Sequence, residues 1–145
     1  MKKDNLIGLP LLCTIQIGFT SRSRLEKAGD EGLLCIQQGD LTKEERLDFG
    51  KTDRFFLEGN FDRFKVSGGE VLFRSRAGQA IAEAVPDGLR EGYVVINPVM
   101  ILRPKSKDLL PGYLAWALNQ PWVQAQLSRD EIGRASCRER VCHRV

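Results

Sequence analysis

Two short segments of this chain, SRSR and RSR, alternate arginine with serine. In an extended backbone the side chains of residues i and i+2 point to the same side, so the alternation would align Arg22 with Arg24. The same spacing would align Arg74 with Arg76. An arginine guanidinium is a planar fork of donors that matches phosphate oxygens and the O6/N7 edge of guanine. The pairs therefore predict a local site for phosphates or base edges, although arginines at strand ends are also ordinary surface residues.

Glutamine side chains occur near the same predicted strand ends and can pair with the edge of adenine. Gln37 and Gln38 follow one predicted strand, and Gln79 follows the second arginine pair, in which Ser75 separates the two arginines. The candidate nucleic-acid contacts are therefore Arg22, Arg24, Gln37, Gln38, Arg74, Ser75, Arg76 and Gln79.

The last segment of the chain differs from the rest. Residues 131–141, EIGRASCRERV, resemble the translation of a sequencing-adapter read, so the natural sequence is expected to stop near Asp130 and residues 131–145 to be a non-native tail. The tail holds Cys137, Cys142 and His143, which alone have the spacing of a metal half-site. The whole chain has 22 basic and 19 acidic residues, which give it a net charge of +3. Without the tail, 18 basic and 17 acidic residues remain, so the rest of the chain is nearly neutral. Any basic site must therefore be local.

An enzymatic function has little support in the remaining residues. No histidine is left outside the tail, which excludes Ser-His, Cys-His and His-metal arrangements. A carboxylate-metal nuclease stays open as an alternative, but neither Asp-x-Lys nor Glu-x-Lys occurs to supply the lysine that acts on the attacking water. If these carboxylates bind no metal, we expect them to lie on a solvated loop. They are Glu44, Glu45, Asp48, Asp53, Glu58 and Asp62. We predict no metal and no cofactor.

The elements that must carry the arginines are predicted from apolar patterns and turn residues. Proline at positions 111 and 121 suits the first turns of two short helices, over about residues 111–128. Many strands followed by helices indicate an α+β domain over residues 1–130, with a twisted, mostly antiparallel sheet and short C-terminal helices. Strands are expected over residues 14–19, 33–42, 71–73 and 79–85, and two apolar runs over 93–103 are broken at Asn97-Pro98.

Cysteine usage and the N terminus bear on the compartment. Cys13 and Cys35 lie in predicted apolar strands, which indicates buried thiols rather than ligands. The N-terminal apolar stretch is interrupted by Asp4, Asn5 and Pro10 and lacks the small residues of a cleavage site, so a signal peptide is not expected. No stretch approaches the roughly 18 apolar residues of a membrane span. We therefore expect a cytoplasmic protein.

The order of these motifs resembles the target-recognition domain of the specificity (S) subunit of type I restriction-modification systems. An early strand leads into glycine in IQIGFTSRS, and a second strand closes with Gly-Asp in IQQGDL. The segment VSGGEVLFRSRAG follows, and a helix in YLAWALNQP comes after ILRP. The resemblance runs over residues 11–127, and the order and spacing of the motifs carry it rather than any single one.

The resemblance implies a DNA-binding subunit without chemistry of its own. Such a domain reads one half of a bipartite double-stranded target, while methyltransferase (M) and restriction (R) subunits modify or cut the DNA. On this basis Glu70 is expected to be a structural residue of the turn made by Gly68 and Gly69. The apolar run 71–73 would anchor the strand in the core, and residues 74–76 would sit in a loop offered to the DNA.

The chain departs from the family pattern in two ways. A family member normally carries two recognition domains separated by long helices, whereas this chain holds one and stops where the long helix should begin. In addition, an alanine precedes the glycine of RSRAG, which departs from the family's pattern in that loop. A protein-interaction domain without DNA binding is a further alternative, in which Trp116 and Trp122 would be exposed, although core packing is the role we expect for both.

Overall fold

The computed structural model describes residues 9–76, 79–89 and 91–125. The helices are α1 (Leu9–Leu12) and α2 (Pro111–Leu118), and residues 121–125 are also helical. The strands are β1 (Cys13–Ile17), β2 (Leu33–Ile36), β3 (Arg54–Phe55), β4 (Lys65–Val66), β5 (Val71–Arg76), β6 (Gln79–Ala84), β7 (Tyr93–Val95) and β8 (Met100–Pro104). Short 3-10 turns lie at residues 38–40, 49–51 and 62–64.

The strands form two sheets of four strands each. Sheet 1 has the order β1-β8-β5-β6, and all of its neighbouring strands are antiparallel. Sheet 2 has the order β3-β2-β7-β4, in which only β2 and β7 are parallel. The α+β class with mostly antiparallel strands is therefore confirmed, and the strands are divided between two sheets.

The core lies in three layers because each sheet is covered on both faces. Leu72 of sheet 1 and Ile36 of sheet 2 belong to one buried cluster between the sheets. The neighbours of Leu72 on the strand, Val71 and Phe73, face the other way and pack against α2. Cys35 belongs to a third cluster, on the outer face of sheet 2, which the connecting segments cover. The apolar run 71–73 is unbroken because its residues fill cores on both faces of the sheet.

Most of the predicted elements are present, but several boundaries differ. β6 and α2 lie where they were predicted, and β2 ends at Ile36 because residues 38–40 form a 3-10 turn. β5 continues through residues 74–76, which pair with β6, so the prediction that these residues sit in a loop is wrong. No helix in the described part of the chain is long and apolar enough to cross a membrane. The non-native tail at 131–145 and the boundary near Asp130 lie outside the described residues.

Candidate nucleic-acid interface

The segments nominated by the sequence meet at one end of the two sheets. In sheet 1 the last residue of β1, Ile17, pairs with Met100 at the start of β8. β5 is antiparallel to β8 and pairs Phe73 with Met100, so the last residues of β5 extend beyond this point. In sheet 2, β2 runs parallel to β7 and pairs Ile36 with Val95, just before the connection from β7 to β8. This end, which we term the arginine end, carries Gln37, Gln38, Arg74, Ser75, Arg76 and Gln79, and the connection that leaves β1 here carries Arg22 and Arg24.

The connection that follows β1 is anchored where it leaves the sheet. Phe19 forms a parallel bridge with Ile96 and packs edge-on against two other phenylalanine rings, with centroid distances of 4.9 and 5.6 Å. The Asn97 side chain donates a hydrogen bond to the hydroxyl of Thr20 at 3.0 Å. These contacts fix the start of the connection against the β7–β8 segment.

Arg22 and Arg24 lie on this connection, and both are exposed. The backbone bends at Arg22 and at Ser23, and the Ser21 hydroxyl accepts a hydrogen bond from the Ser23 amide at 3.3 Å. The same-side alignment expected for an extended backbone therefore does not apply to this pair. The two arginines are instead long cations on an irregular, anchored loop, which suits contacts to phosphates at variable positions.

The glutamines of the second segment lie on a capped turn. The Asp40 carboxylate accepts a hydrogen bond from the Gln37 amide at 2.8 Å, which closes the 3-10 turn that follows β2. Gln37 and Gln38 are both half-buried. The Gly-Asp pair thus has a local structural role, because the aspartate holds the backbone on which the glutamines are presented.

Arg74 differs from the loop arginines because it belongs to a strand. It pairs with Ile81 of β6 and lies on the same face of β5 as Leu72, at the margin of the core between the sheets. Its side chain is half-buried, and its Nε atom is buried without a hydrogen-bond partner. Only the end of the guanidinium can therefore reach a ligand, through the two Nη groups. Ser75, Arg76 and Gln79 are placed by their backbones, in register with β6 and β5.

Arg22, Arg24 and Arg74, which lie at or beside the arginine end, have no ion-pair partner among the described residues. Five ion pairs occur in the described part of the chain, and none of them includes Arg22, Arg24 or Arg74. The Asp40 carboxylate at this end is turned toward its own backbone. Arginines that are not held by carboxylates are available to an anionic ligand.

At the opposite end of the sheets, Arg103 is held in an ion pair with Glu70. Glu70 accepts a hydrogen bond from the Arg103 Nε at 2.6 Å and another from the Ser67 amide at 2.6 Å. Arg103 also donates to the carbonyl oxygens of Arg63 and Lys65, at 2.9 and 3.1 Å. The structural role expected for Glu70 agrees with these contacts, and they leave Arg103 committed to the protein.

A second surface, along β6, was missed by the sequence analysis. Asn119 and Gln124 reach the β6 backbone from the segment after α2. A cleft of about 1060 Å³ lies between this segment, β6 and residues 42–46. Trp116 lines the cleft and is 57% exposed, and Trp122 is 55% exposed, so the core packing predicted for both is wrong. Residues 42–46 contribute two cations, Lys43 and Arg46, and two carboxylates, Glu44 and Glu45, to the lining of the cleft. The cleft therefore has no uniform positive charge that would select phosphate groups.

The buried titratable groups have the properties of structural residues. Burial and the neighbouring Asp40 raise the pKa of the Cys35 thiol to about 11. Burial also raises the pKa of Cys13, against an opposing effect of Lys105. Both cysteine side chains are buried, as predicted. No group of three or more metal-ligating side chains lies together among residues 9–76, 79–89 and 91–125.

The comparison with solved structures finds the same fold in a larger protein. The described fold is similar to the crystal structure of the HsdS subunit from Thermoanaerobacter tengcongensis, with a TM-score of 0.54 and 19% sequence identity. The match covers 84% of this chain and 28% of the HsdS chain, so the chain spans under a third of that protein's length. No protein-family model and no curated protein matches the sequence.

Proposed function

We propose that this chain binds double-stranded DNA and reads one half of a bipartite target, as a target-recognition domain of a type I specificity subunit. The observation that carries the proposal is that the end of β5, the glutamine turn and the start of the loop with Arg22 and Arg24 lie at one end of the fold. Arg22, Arg24 and Arg74 have no ion-pair partner among the described residues, which supports contacts to an anionic ligand. The HsdS-like fold and the order of the sequence motifs support the same class of protein. Catalysis and cleavage would belong to partner M and R subunits, which act on DNA in the cytoplasm.

Within this function the arginines would divide into two kinds of contact. Arg22 and Arg24, exposed on a loop, would neutralise phosphates and set the register of the protein on the duplex. Arg74 would present its two Nη groups from a fixed strand, which suits bidentate pairing to the O6 and N7 of guanine. The glutamines would add contacts to adenine edges.

The experiment is a binding selection from random DNA duplexes with the full chain at moderate salt. We expect enrichment of a short motif, and we expect Arg74→Gln to relax the preference by about 1–3 kcal/mol at one position of that motif. Arg22→Gln and Arg24→Gln should weaken binding to all sequences alike and lower the dependence on salt. Lys107→Gln is the matched control, because Lys107 is an exposed cation beyond the opposite end of the sheets.

A protein-interaction domain remains the second candidate because one specific surface favours it. Tyr113 and Trp116 stack on α2 with centroids 5.8 Å apart, and they are 60% and 57% exposed. Exposed aromatic residues of this kind are enriched at protein interfaces. A folded chain that binds no DNA even at low salt would refute the proposed function and favour this alternative.

A further inference from the structure

The outer edge of β6 is covered by side-chain amides instead of another strand. The Asn119 Oδ1 accepts a hydrogen bond from the Ala82 amide at 2.9 Å, and its Nδ2 donates to the Ala82 carbonyl oxygen at 2.8 Å. One side chain thus satisfies both backbone groups of one residue, as the residue of a neighbouring strand would.

Gln124 repeats this arrangement two residues away on β6. Its Oε1 accepts from the Ala80 amide at 2.9 Å, and its Nε2 donates to the Ala80 carbonyl oxygen. The same Nε2 also donates to the Leu118 carbonyl oxygen at 3.0 Å, which ties the contact to the end of α2. Ala80 and Ala82 are buried, so their backbone groups would lack partners without these amides.

The two contacts lie on either side of the residue that pairs with Arg74. In the β5–β6 hairpin, Ala80 is opposite Ser75, Ala82 is opposite Phe73, and Arg74 is opposite the intervening Ile81. Apolar packing of α2 on this hairpin is non-directional, so it gives a weaker preference for one position along the strand than hydrogen bonds do. The four directional hydrogen bonds supply that preference, because they form only when Ala80 and Ala82 are in this register.

We propose that Asn119 and Gln124 are positioning residues that clamp β6 and thereby fix the strand from which Arg74 is presented. The clamp itself is a property of the fold, whereas its effect on DNA reading rests on the proposed function. It also closes the β6 edge of sheet 1 against the pairing of another strand.

The test uses Asn119→Asp and Gln124→Glu, which keep the shape of each side chain. At neutral pH a carboxylate still accepts from the backbone amide, but it cannot donate to the carbonyl, and two acceptors then face each other. We expect hydrogen exchange of the Ala82 and Ala80 amides, respectively, to accelerate about tenfold, which corresponds to about 1.4 kcal/mol. Protection should return toward the wild-type value when the pH is lowered enough to protonate the new carboxyl group, because protonation restores the donor.

Gln120→Glu is the matched control for the added charge. Gln120 lies beside Asn119, but its Nε2 donates to the Trp116 carbonyl oxygen within the helical segment, and no hydrogen bond joins its side chain to the described residues of β6. We expect this variant to leave both amides protected. Unchanged protection in Asn119→Asp and Gln124→Glu, or equal acceleration in Gln120→Glu, would overturn the clamp.

Measurements of DNA binding by the same variants separate the proposed clamp from the proposed DNA recognition. If the clamp positions Arg74, Gln124→Glu should alter the preferred base at the position that Arg74→Gln affects, whereas Gln120→Glu should not. An altered exchange rate together with an unaltered base preference would overturn the positioning role. Failure of the wild-type chain to bind DNA would refute the proposed function, while the exchange measurements would still decide whether the clamp exists.

Discussion

The ion pair between Glu70 and Arg103 allows a quantitative prediction about the end of the sheets opposite the arginines. The side chains of Glu70 and Arg103 are only 15% and 29% exposed, and their closest N–O distance is 2.6 Å. In Glu70→Gln an uncharged amide replaces the carboxylate, which removes a charge-assisted hydrogen bond and leaves the arginine without its counter-charge. Breaking a fully buried pair costs about 3–5 kcal/mol, and exposed pairs contribute under about 1 kcal/mol. For this partly buried pair we expect a loss of about 2 kcal/mol.

The assay is urea-induced unfolding of the wild type and the variant under identical conditions. With a slope of roughly 1–3 kcal/mol/M for urea, a loss of about 2 kcal/mol lowers the midpoint by about 1 M. Glu91→Gln is the matched control, because Glu91 pairs with Arg54 at 2.9 Å but its side chain is 55% exposed. We expect the control to lose about 0.5 kcal/mol.

The result that would refute this reasoning is an equal effect of the two substitutions. Glu70→Gln should also leave the DNA preference unchanged, because Glu70 lies at the end of β5 away from Arg74.

Two further predictions concern titratable groups whose pKa is raised by burial. Burial raises the pKa of Glu83 in the folded protein, so the folded state binds a proton more tightly than the unfolded chain, and stability should fall as the pH rises above the ordinary glutamate pKa. Glu83→Gln should flatten this dependence in urea unfolding measured at several pH values, and an unchanged slope would contradict the assignment. The Cys35 thiol, with its pKa raised to about 11, should resist alkylation at neutral pH in the folded protein and react fully in urea. Peptide mapping of Cys35 checks this, and equal labelling in both states would show that the prediction is wrong.

The sequence predicted those parts of the fold in which local pattern and core burial agree. The apolar run at 71–73, the helix after Pro111 and the break at Asn97-Pro98 are all found. The apolar run and the proline signals are local, so one stretch of sequence contains them. The glycine of IQIGF has a reason that is not local, because a Cβ atom at Gly18 would clash with the Val99 carbonyl oxygen.

The sequence could not predict features that depend on a distant partner. Polar residues after Phe73 looked like the end of a strand, but β5 continues through Arg76 because β6 supplies the partner backbone. Trp116 was expected in the core because tryptophan is large and apolar, yet α2 buries Leu114, Ala115 and Leu118 instead. The amide contacts of Asn119 and Gln124 leave no pattern in sequence, since they require β6 to lie beside the helical segment.

The layered core explains why the ends of the sheets are the surfaces left for binding. Sheet 1 is covered by sheet 2 on one face and by α2 on the other, and connecting segments cover the outer face of sheet 2. The β6 edge of sheet 1 is occupied by Asn119 and Gln124. At one of the two ends, Arg103 forms an ion pair with Glu70. At the other end lie Arg74 and the start of the loop that carries Arg22 and Arg24, and these three arginines have no ion-pair partner in the described part of the chain, which supports the DNA-binding surface that we propose.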